Sequence, residues 1–169
     1  MTALLFLILL ISVAHIAAAA ASVPHRSPRD AVISNLNRAL TGTPMAGQGA
    51  VLEHVGRLYR LHPAFIAAVA AFEGGFDLNR HTGLRPCLPY NPYGISSCGA
   101  AWTAPRFRSW AESIAYAARF LTSRWPHART AYDYQGFCTC GAAYWGGKVA
   151  AKMRQIGYGP SITYGRSTP

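Results

Sequence analysis

The segment HPAFIAAVAAFEGGF, which spans residues 62–76, carries the strongest fold signal in the chain. His62-Pro63 is typical of a helix start, because proline suits the first helical position, where its missing N–H is not needed. Every residue from Ala64 to Phe72 is apolar, and a helix that is apolar on all sides is expected to be buried. We therefore predict a short buried helix that ends at a carboxylate, Glu73, before two glycines.

Helical patterns also lie on both sides of this segment. Ser27-Pro28 forms a cap and a first turn, and apolar side chains recur at helical spacing after it. A second helix is predicted over about Gln48–Tyr59, and Ser109–Glu112 forms a capping box before the longest helix. A last helix is predicted over about Gly147–Ile156. Because strand patterns are almost absent, the predicted fold class is mainly α.

The stretch from Asp77 to Arg108 has a different character. It is rich in proline and shows no sustained helical or strand period. We interpret it as a long loop region with room for one short hairpin. Long loops inside compact domains usually carry function, so this region is expected to contribute to the site.

The N-terminal segment, residues 1–21, is predicted to be a secretory signal peptide. Ala3 to Ala21 carries no Asp, Glu, Lys or Arg and ends in a run of small residues, which is typical of such peptides. An uncleaved membrane anchor is the alternative, because the apolar run approaches the roughly 20 residues that span a bilayer. The expected localisation is secreted, periplasmic or in the cell envelope, with any membrane association through this segment.

The length of 169 residues suggests a single domain. After the signal peptide we divide the chain into a linker and helix over residues 22–47, a main domain over residues 48–157 and a C-terminal tail over residues 158–169. We expect the protein to be a monomer.

The chain is strongly basic, with 16 Lys and Arg, six Asp and Glu, and a net charge of +10. Such a charge favours polyanionic partners, which include wall polymers, nucleic acid and acidic lipid headgroups. The arginines are scattered, so charge alone does not choose among these partners. Arg106 and Arg108 beside Trp102 and Phe107 would form a small stacking patch, but the expected export argues against nucleic acid.

Four cysteines in a chain that is expected to be exported favour two disulfides over a four-cysteine zinc site. A C-x-C spacing without any C-x-x-C pair argues against zinc, so no metal or cofactor is expected. Cys138 and Cys140 are too close in sequence to bridge each other comfortably. Each is therefore expected to join Cys87 or Cys98.

Glu73 is the carboxylate whose context best suits acid catalysis. It follows an apolar helix, so partial desolvation favours its protonated form. It also lies at the negative end of the helix dipole, which acts in the same direction. A general acid needs such surroundings to hold its proton near neutral pH, and Gly74 and Gly75 are expected to leave room for a bulky substrate. The alternative is a glutamate at a frayed helix end that points to water.

The other carboxylates have structural explanations or weaker catalytic ones. Asp30 and Glu112 lie in the capped first turns of helices. Glu53 is expected on a solvated helix face. Asp77 is either a second catalytic carboxylate or the cap of a turn. Asp133 lies between tyrosines and has no clear role.

Four segments together resemble the bacterial endo-β-N-acetylglucosaminidases, lysozyme-like peptidoglycan hydrolases that include autolysins and flagellar wall-cutting enzymes. Residues 62–76 resemble the catalytic helix, and NPYGI at residues 91–95 resembles the N-P/L-F/Y-G-I motif of that family. Residues 107–114 resemble the segment that follows the motif. Residues 140–144 fall where the family carries a tyrosine shortly before its last helix. The resemblance covers residues 48–156.

The resemblance implies a single-domain, lysozyme-like helical fold in which the long central loop region forms a cleft. It also implies hydrolysis of β-1,4 bonds between N-acetylglucosamine and N-acetylmuramic acid in peptidoglycan glycan strands, with Glu73 as the general acid. Asp77 and Asp133 are the candidates for a second catalytic carboxylate. The expected substrate-binding residues are Asn91, Tyr93, Tyr90, Trp102 and Tyr144. A packing role is the alternative for Trp102 and Tyr144.

The chain departs from the family pattern at several points. Gly74 stands where the family usually has Ser or Thr, and the four cysteines and the proline-rich loop are not typical. The G-L-M-Q segment usual in lytic transglycosylases is not found after Glu73, so hydrolysis is preferred to transglycosylation. A wall-binding module without catalysis is the remaining alternative, and a salt bridge at Glu73 with no open cleft would mark it.

Overall fold

The computed structural model describes residues 27–78, 82–83, 90–93, 106–134 and 142–164. The N-terminal segment, Trp102 and all four cysteines lie outside these ranges, so the signal peptide and the disulfides stay predictions. None of the helices described combines the length and hydropathy that crossing a membrane would require.

The described residues confirm the mainly helical class. Two short strands, β1 (Phe76–Asp77) and β2 (Thr82–Gly83), pair antiparallel, with Phe76 opposite Gly83, and form the hairpin expected in the loop region. A short 3₁₀ helix, η1, spans Ala131–Asp133. The α-helices are α1 (Pro28–Leu40), α2 (Gly49–Tyr59), α3 (Pro63–Glu73), α4 (Trp110–Arg124) and α5 (Ala142–Ile156).

The first four helices begin close to their predicted starts, and side-chain caps are present at three of them, α1, α3 and α4. Ser27 Oγ accepts a hydrogen bond from Asp30 N at the start of α1, and Ser109 Oγ accepts one from Glu112 N at the start of α4. The capping box at α4 differs in one detail, since Glu112 Oε2 accepts from Arg108 N, one residue before the cap. These local bonds satisfy backbone donors that have no partner inside the helix.

Helix α3 is the buried helix that the sequence predicts. All its residues from Pro63 to Ala71 are buried, and α2 and α5 pack against it. His62 caps its start, with Ala64 N donating to His62 Nδ1 over 3.2 Å. Burial lowers the pKa of His62 to about 4, so the ring is neutral at physiological pH and keeps this nitrogen free to accept.

Helix α5 begins five residues before the predicted start at Gly147, so that prediction is wrong. Gly146 is buried inside the helix, and a Cβ on it would lie 2.8 Å from Ala131 O and 2.8 Å from Tyr132 Cα. This glycine therefore allows close packing of α5 on η1 rather than ending a helix. The early start brings Trp145 into a buried stripe with Val149, Met153 and Ile156.

Glu53 is fully buried, so the solvated face predicted for it is wrong. Helix α1 covers this side of α2. Arg29 Nε lies 2.9 Å from Glu53 Oε2, and Arg57 Nε lies 2.8 Å from Oε1. The Arg57 contact is an ion pair without hydrogen-bond alignment. A buried carboxylate needs such partners, and the two arginines reach it while about half of each side chain stays in solvent.

Candidate active site around Glu73

Glu73 is the last residue of α3, and its side chain is partly exposed. The indole Nε1–H of Trp145 donates a hydrogen bond to Glu73 Oε1 over 2.7 Å. The two residues are 72 positions apart in the chain, so only the packing of α5 on α3 brings them together. This bond fixes one oxygen of the carboxyl group, and no residue in the described ranges bonds to the other.

Trp145 is fully buried and held by aromatic side chains. Its ring meets Phe72 edge-on at a centroid distance of 6.5 Å and Phe65 at 6.4 Å, while Tyr134 lies tilted against it at 5.6 Å. Such offset and edge-to-face arrangements are the favoured geometries for aromatic pairs. The indole is therefore held in one orientation, and so is the N–H that points at Glu73.

Burial raises the pKa of Glu73, and the Trp145 hydrogen bond lowers it by a smaller amount. The position at the C-terminal end of α3 also favours the neutral acid, because the helix dipole is negative there. Across the part of the chain that the structure describes, no Lys, Arg or His side chain forms an ion pair with Glu73. Glu73 is thus a carboxylic acid that keeps its proton to higher pH than an ordinary glutamate.

Gly74 brings the Asn91–Tyr93 segment against the end of α3. A Cβ at position 74 would lie 2.9 Å from Pro92 O and 3.1 Å from Phe76 Cδ1. The expectation that Gly74 leaves room for a substrate is therefore wrong, because backbone of the neighbouring segment fills that space. The same contact places Pro92, in the described part of the NPYGI motif, next to the end of α3, and it explains why Ser or Thr would not fit at position 74.

The predicted sugar-binding residues of this segment differ in exposure. Asn91 and Tyr93 are buried, and the Tyr93 hydroxyl has no hydrogen-bond partner among the described residues. Burial raises the pKa of this hydroxyl. Tyr90 is 37% exposed and meets Trp110 edge-on at 5.3 Å. Its φ of 58° lies in the left-handed region, which is unfavourable for a bulky side chain and is often found at functional sites. Tyr90 therefore combines a partly exposed aromatic side chain with a strained backbone.

On α5, the predicted sugar-binding residue Tyr144 and its neighbour Trp145 have different surroundings. Tyr144 is 54% exposed, with Lys148 Nζ 5.3 Å from its ring centroid, while Trp145 faces Glu73. Trp145 is not among the residues that the sequence motifs single out. The four-residue spacing from Trp145 to Val149 and on to Met153 is the pattern that identifies it as an inward-facing residue of a longer helix.

The two candidates for a second carboxylate both have structural partners. Asp77 Oδ1 lies 2.8 Å from Lys152 Nζ, which also donates to Phe76 O. Asp133 Oδ2 accepts from the backbone N–H groups of Arg129 and Thr130, each over 2.8 Å, and these bonds lower its pKa. Asp133 therefore caps η1, and Asp77 joins the hairpin to α5. A catalytic role for either stays a prediction.

Two cavities lie away from Glu73. The first, of about 270 Å³, is lined by residues at the ends of α2 and α4 and by the C-terminal segment, including Tyr59, Trp125 and Ile162. The second, of about 300 Å³, lies beside Trp125 and Asp133. Within the described ranges, no three His, Cys, Asp or Glu side chains come together in a way that would hold a metal ion.

Comparisons with protein-family models, with curated proteins and with solved structures found no match for this chain. The functional interpretation therefore depends on the residues around Glu73 and on the motifs in the sequence.

Proposed function

We propose that this protein is a glycosidase that hydrolyses the β-1,4-linked glycan strand of peptidoglycan, with Glu73 as its general acid. The observation that carries the proposal is the environment of Glu73. It is a partly exposed carboxyl group with a raised pKa, oriented by one hydrogen bond and without a basic partner among the described residues. A general acid needs all of these properties.

The neighbouring segments support the same proposal. The Asn91–Tyr93 part of the NPYGI motif packs against the end of α3 at Gly74. Tyr90 and Tyr144 expose aromatic rings, which sugars commonly use as packing surfaces, on the segments that flank Glu73. We propose that the loop region between Asp77 and Arg108 forms one wall of a lysozyme-like cleft that receives the glycan.

In the proposed reaction, Glu73 gives its proton to the glycosidic oxygen as the bond from that oxygen to the sugar C1 breaks. Positive charge then develops on C1 and the ring oxygen. Water supplies the hydroxyl group that ends on C1, and the second proton of that water returns to the Glu73 carboxylate. The acid is therefore regenerated, and one water is consumed for each bond that is cut.

The partners of the other carboxylates favour the substrate as the source of the second catalytic group. Lys152 largely offsets the charge of Asp77, and backbone N–H groups occupy Asp133. The acetamido group of the substrate sugar is then the better candidate to meet the developing positive charge. Such substrate assistance is an established alternative to a pair of carboxylates.

The test is mass analysis of the fragments that the purified protein releases from purified peptidoglycan. We expect new reducing ends, and the sugar at the reducing end identifies which of the two alternating bonds is cut. Glu73→Gln should lower the rate at least about 100-fold, since general acid catalysis contributes roughly 100- to 10,000-fold. Glu112→Gln is the matched control, because Glu112 is a helix-capping glutamate on α4.

Three outcomes would change the proposal. Anhydro ends on the fragments would show a lytic transglycosylase that uses the same acid. Binding to peptidoglycan without any cleavage would indicate a wall-binding module. Equal activity of wild type and Glu73→Gln would remove Glu73 from the mechanism.

A further inference from the structure

We propose that Trp145 is the positioning residue for the acid, because its indole N–H holds Glu73 Oε1 and thereby leaves Oε2 as the oxygen that carries the transferred proton. This inference rests on the proposed function of Glu73. It assigns a role to a residue outside the four resembling segments, since Trp145 directly follows the last of them.

The assignment follows from the donors and acceptors at the contact. An indole has one N–H donor and no acceptor, so Trp145 can only donate to the carboxyl group. In a neutral carboxylic acid the carbonyl oxygen is the better acceptor, and the other oxygen bears the proton. The bond of 2.7 Å to Oε1 therefore identifies Oε1 as the carbonyl oxygen and Oε2 as the hydroxyl. No described side chain or backbone group bonds to Oε2, so it remains available to a substrate.

Packing makes this contact rigid on both sides. The indole is fully buried among Phe65, Phe72 and Tyr134, so it has no room to turn its N–H away. Its helix is fixed in turn by the close approach of Gly146 to η1. Glu73 ends its helix beside Gly74, and without the indole its side chain could rotate into solvent. Catalytic groups need this kind of support to stay within reach of the reacting atom.

The bond also helps after the proton has left. A hydrogen bond to the carboxylate stabilises the charged form, and accordingly the Trp145 contact lowers the pKa of Glu73 against the larger effect of burial. Trp145 therefore stabilises the Glu73 anion that remains when the proton has moved to the glycosidic oxygen. Removing the N–H should raise the pKa of Glu73 further and slow the chemical step.

The experiment replaces Trp145 with 3-benzothienylalanine, which keeps the shape of the indole but has sulfur in place of N–H. Activity requires protonated Glu73, so the alkaline limb of the pH profile for kcat/KM reports its pKa. We expect this limb to move to higher pH and kcat to fall on the order of 10- to 100-fold with little change in KM. The same replacement at Trp125, whose described ring contacts are with Phe120 and Tyr134, should move neither.

An NMR titration of the Glu73 carboxyl carbon separates the positioning role of Trp145 from the proposed glycosidase function. The expected result is a higher pKa in the Trp145 variant than in the wild type, whether or not the protein cuts glycan. An unchanged carboxyl pKa and an unchanged alkaline limb in a folded Trp145 variant would overturn the positioning role. Absence of glycan cleavage by the wild type would instead defeat the proposed function, and the titration would still decide the contact.

Discussion

At the scale of single residues, the three glutamates of this chain show how strongly surroundings control a carboxylate. Glu53 is buried between two arginines, and Glu112 is exposed and accepts backbone and arginine N–H groups that lower its pKa. Burial raises the pKa of Glu73, and the hydrogen bond that it receives within the described ranges comes from a neutral indole. Because burial raises its pKa, Glu73 is the residue proposed as the general acid.

The raised pKa predicts that Glu73 reduces stability at neutral pH. The folded protein binds this proton more tightly than the unfolded chain does. The stabilising effect of the group is therefore full below the ordinary glutamate pKa of about 4.3 and is lost as the pH rises through the raised folded value. Glu73→Gln keeps the acceptor for Trp145 and removes the charge, so we expect it to be more stable than the wild type by about 0.5–2 kcal/mol at pH 7.

Urea denaturation of both proteins across the range from about pH 3.5 to 8 measures this effect. The difference in the free energy of unfolding should vanish at the acid end, where Glu73 is protonated in both states. Glu112→Gln should behave in the opposite way and lose stability at neutral pH, because its carboxylate is stabilised in the folded state. A Glu73→Gln protein that is less stable than the wild type at every pH would contradict the burial argument.

At the scale of elements, the two adjacent glycines of α5 have different roles. Gly146 faces η1, and backbone atoms of Ala131 and Tyr132 occupy the space that a Cβ would need. Gly147 has nothing within 4 Å of the corresponding position. One glycine is therefore required by the packing that sets Trp145 in place, and the other only weakens a helix.

This contrast predicts opposite effects of the same substitution. Gly146→Ala should destabilise the protein by about 1–3 kcal/mol, because backbone rather than a flexible side chain must move. Gly147→Ala should stabilise it by about 0.5–1 kcal/mol, since alanine favours the helix and meets no neighbour. Thermal unfolding of the pair provides the measurement, with each variant acting as the control for the other. Equal effects at both positions would show that α5 does not pack on η1 in this way.

At the scale of the whole molecule, positive charge greatly exceeds negative charge. The chain has 16 Lys and Arg against six Asp and Glu, and the ion pairs described engage Arg29, Arg57, Arg108 and Lys152. The remaining positive charge is available to attract a polyanion over several ångströms. Peptidoglycan and its attached polymers carry such charge, whereas chitin presents related sugars without it.

We therefore expect salt to weaken binding to peptidoglycan but not to chitin. Cosedimentation of the inactive Glu73→Gln protein at about 20 mM and 500 mM salt should show affinity for peptidoglycan falling roughly 10-fold or more, because screening shortens the reach of surface charge. Binding to chitin, if detected, should change little between the two conditions. Equal retention on peptidoglycan at both salt concentrations would show that charge does not drive the proposed binding.

Much of the helical framework can be predicted because its signals are local. Ser27, His62 and Ser109 cap helices through hydrogen bonds that span only two or three residues. The burial of α3 also follows from composition, since no face of it is polar. The burial of Glu53 could not be predicted, because it depends on α1 packing across α2 and on Arg29, 24 positions away.

The sequence by itself determined the mainly helical class and four of the five helix starts, since each depends on residues that are neighbours along the chain. It also singled out Glu73 as the candidate acid, and that assignment stays a prediction. Only the tertiary structure decided that Trp145 is the hydrogen-bond partner of Glu73. It also decided the packing of Gly74 on Pro92 and of Gly146 on η1. The pairing of Asp77 with Lys152 and the backbone bonds to Asp133 likewise became visible only in the structure. These are contacts between side chains or backbones far apart in sequence. No local pattern encodes the distance between two such groups, because that distance is set only when whole helices pack.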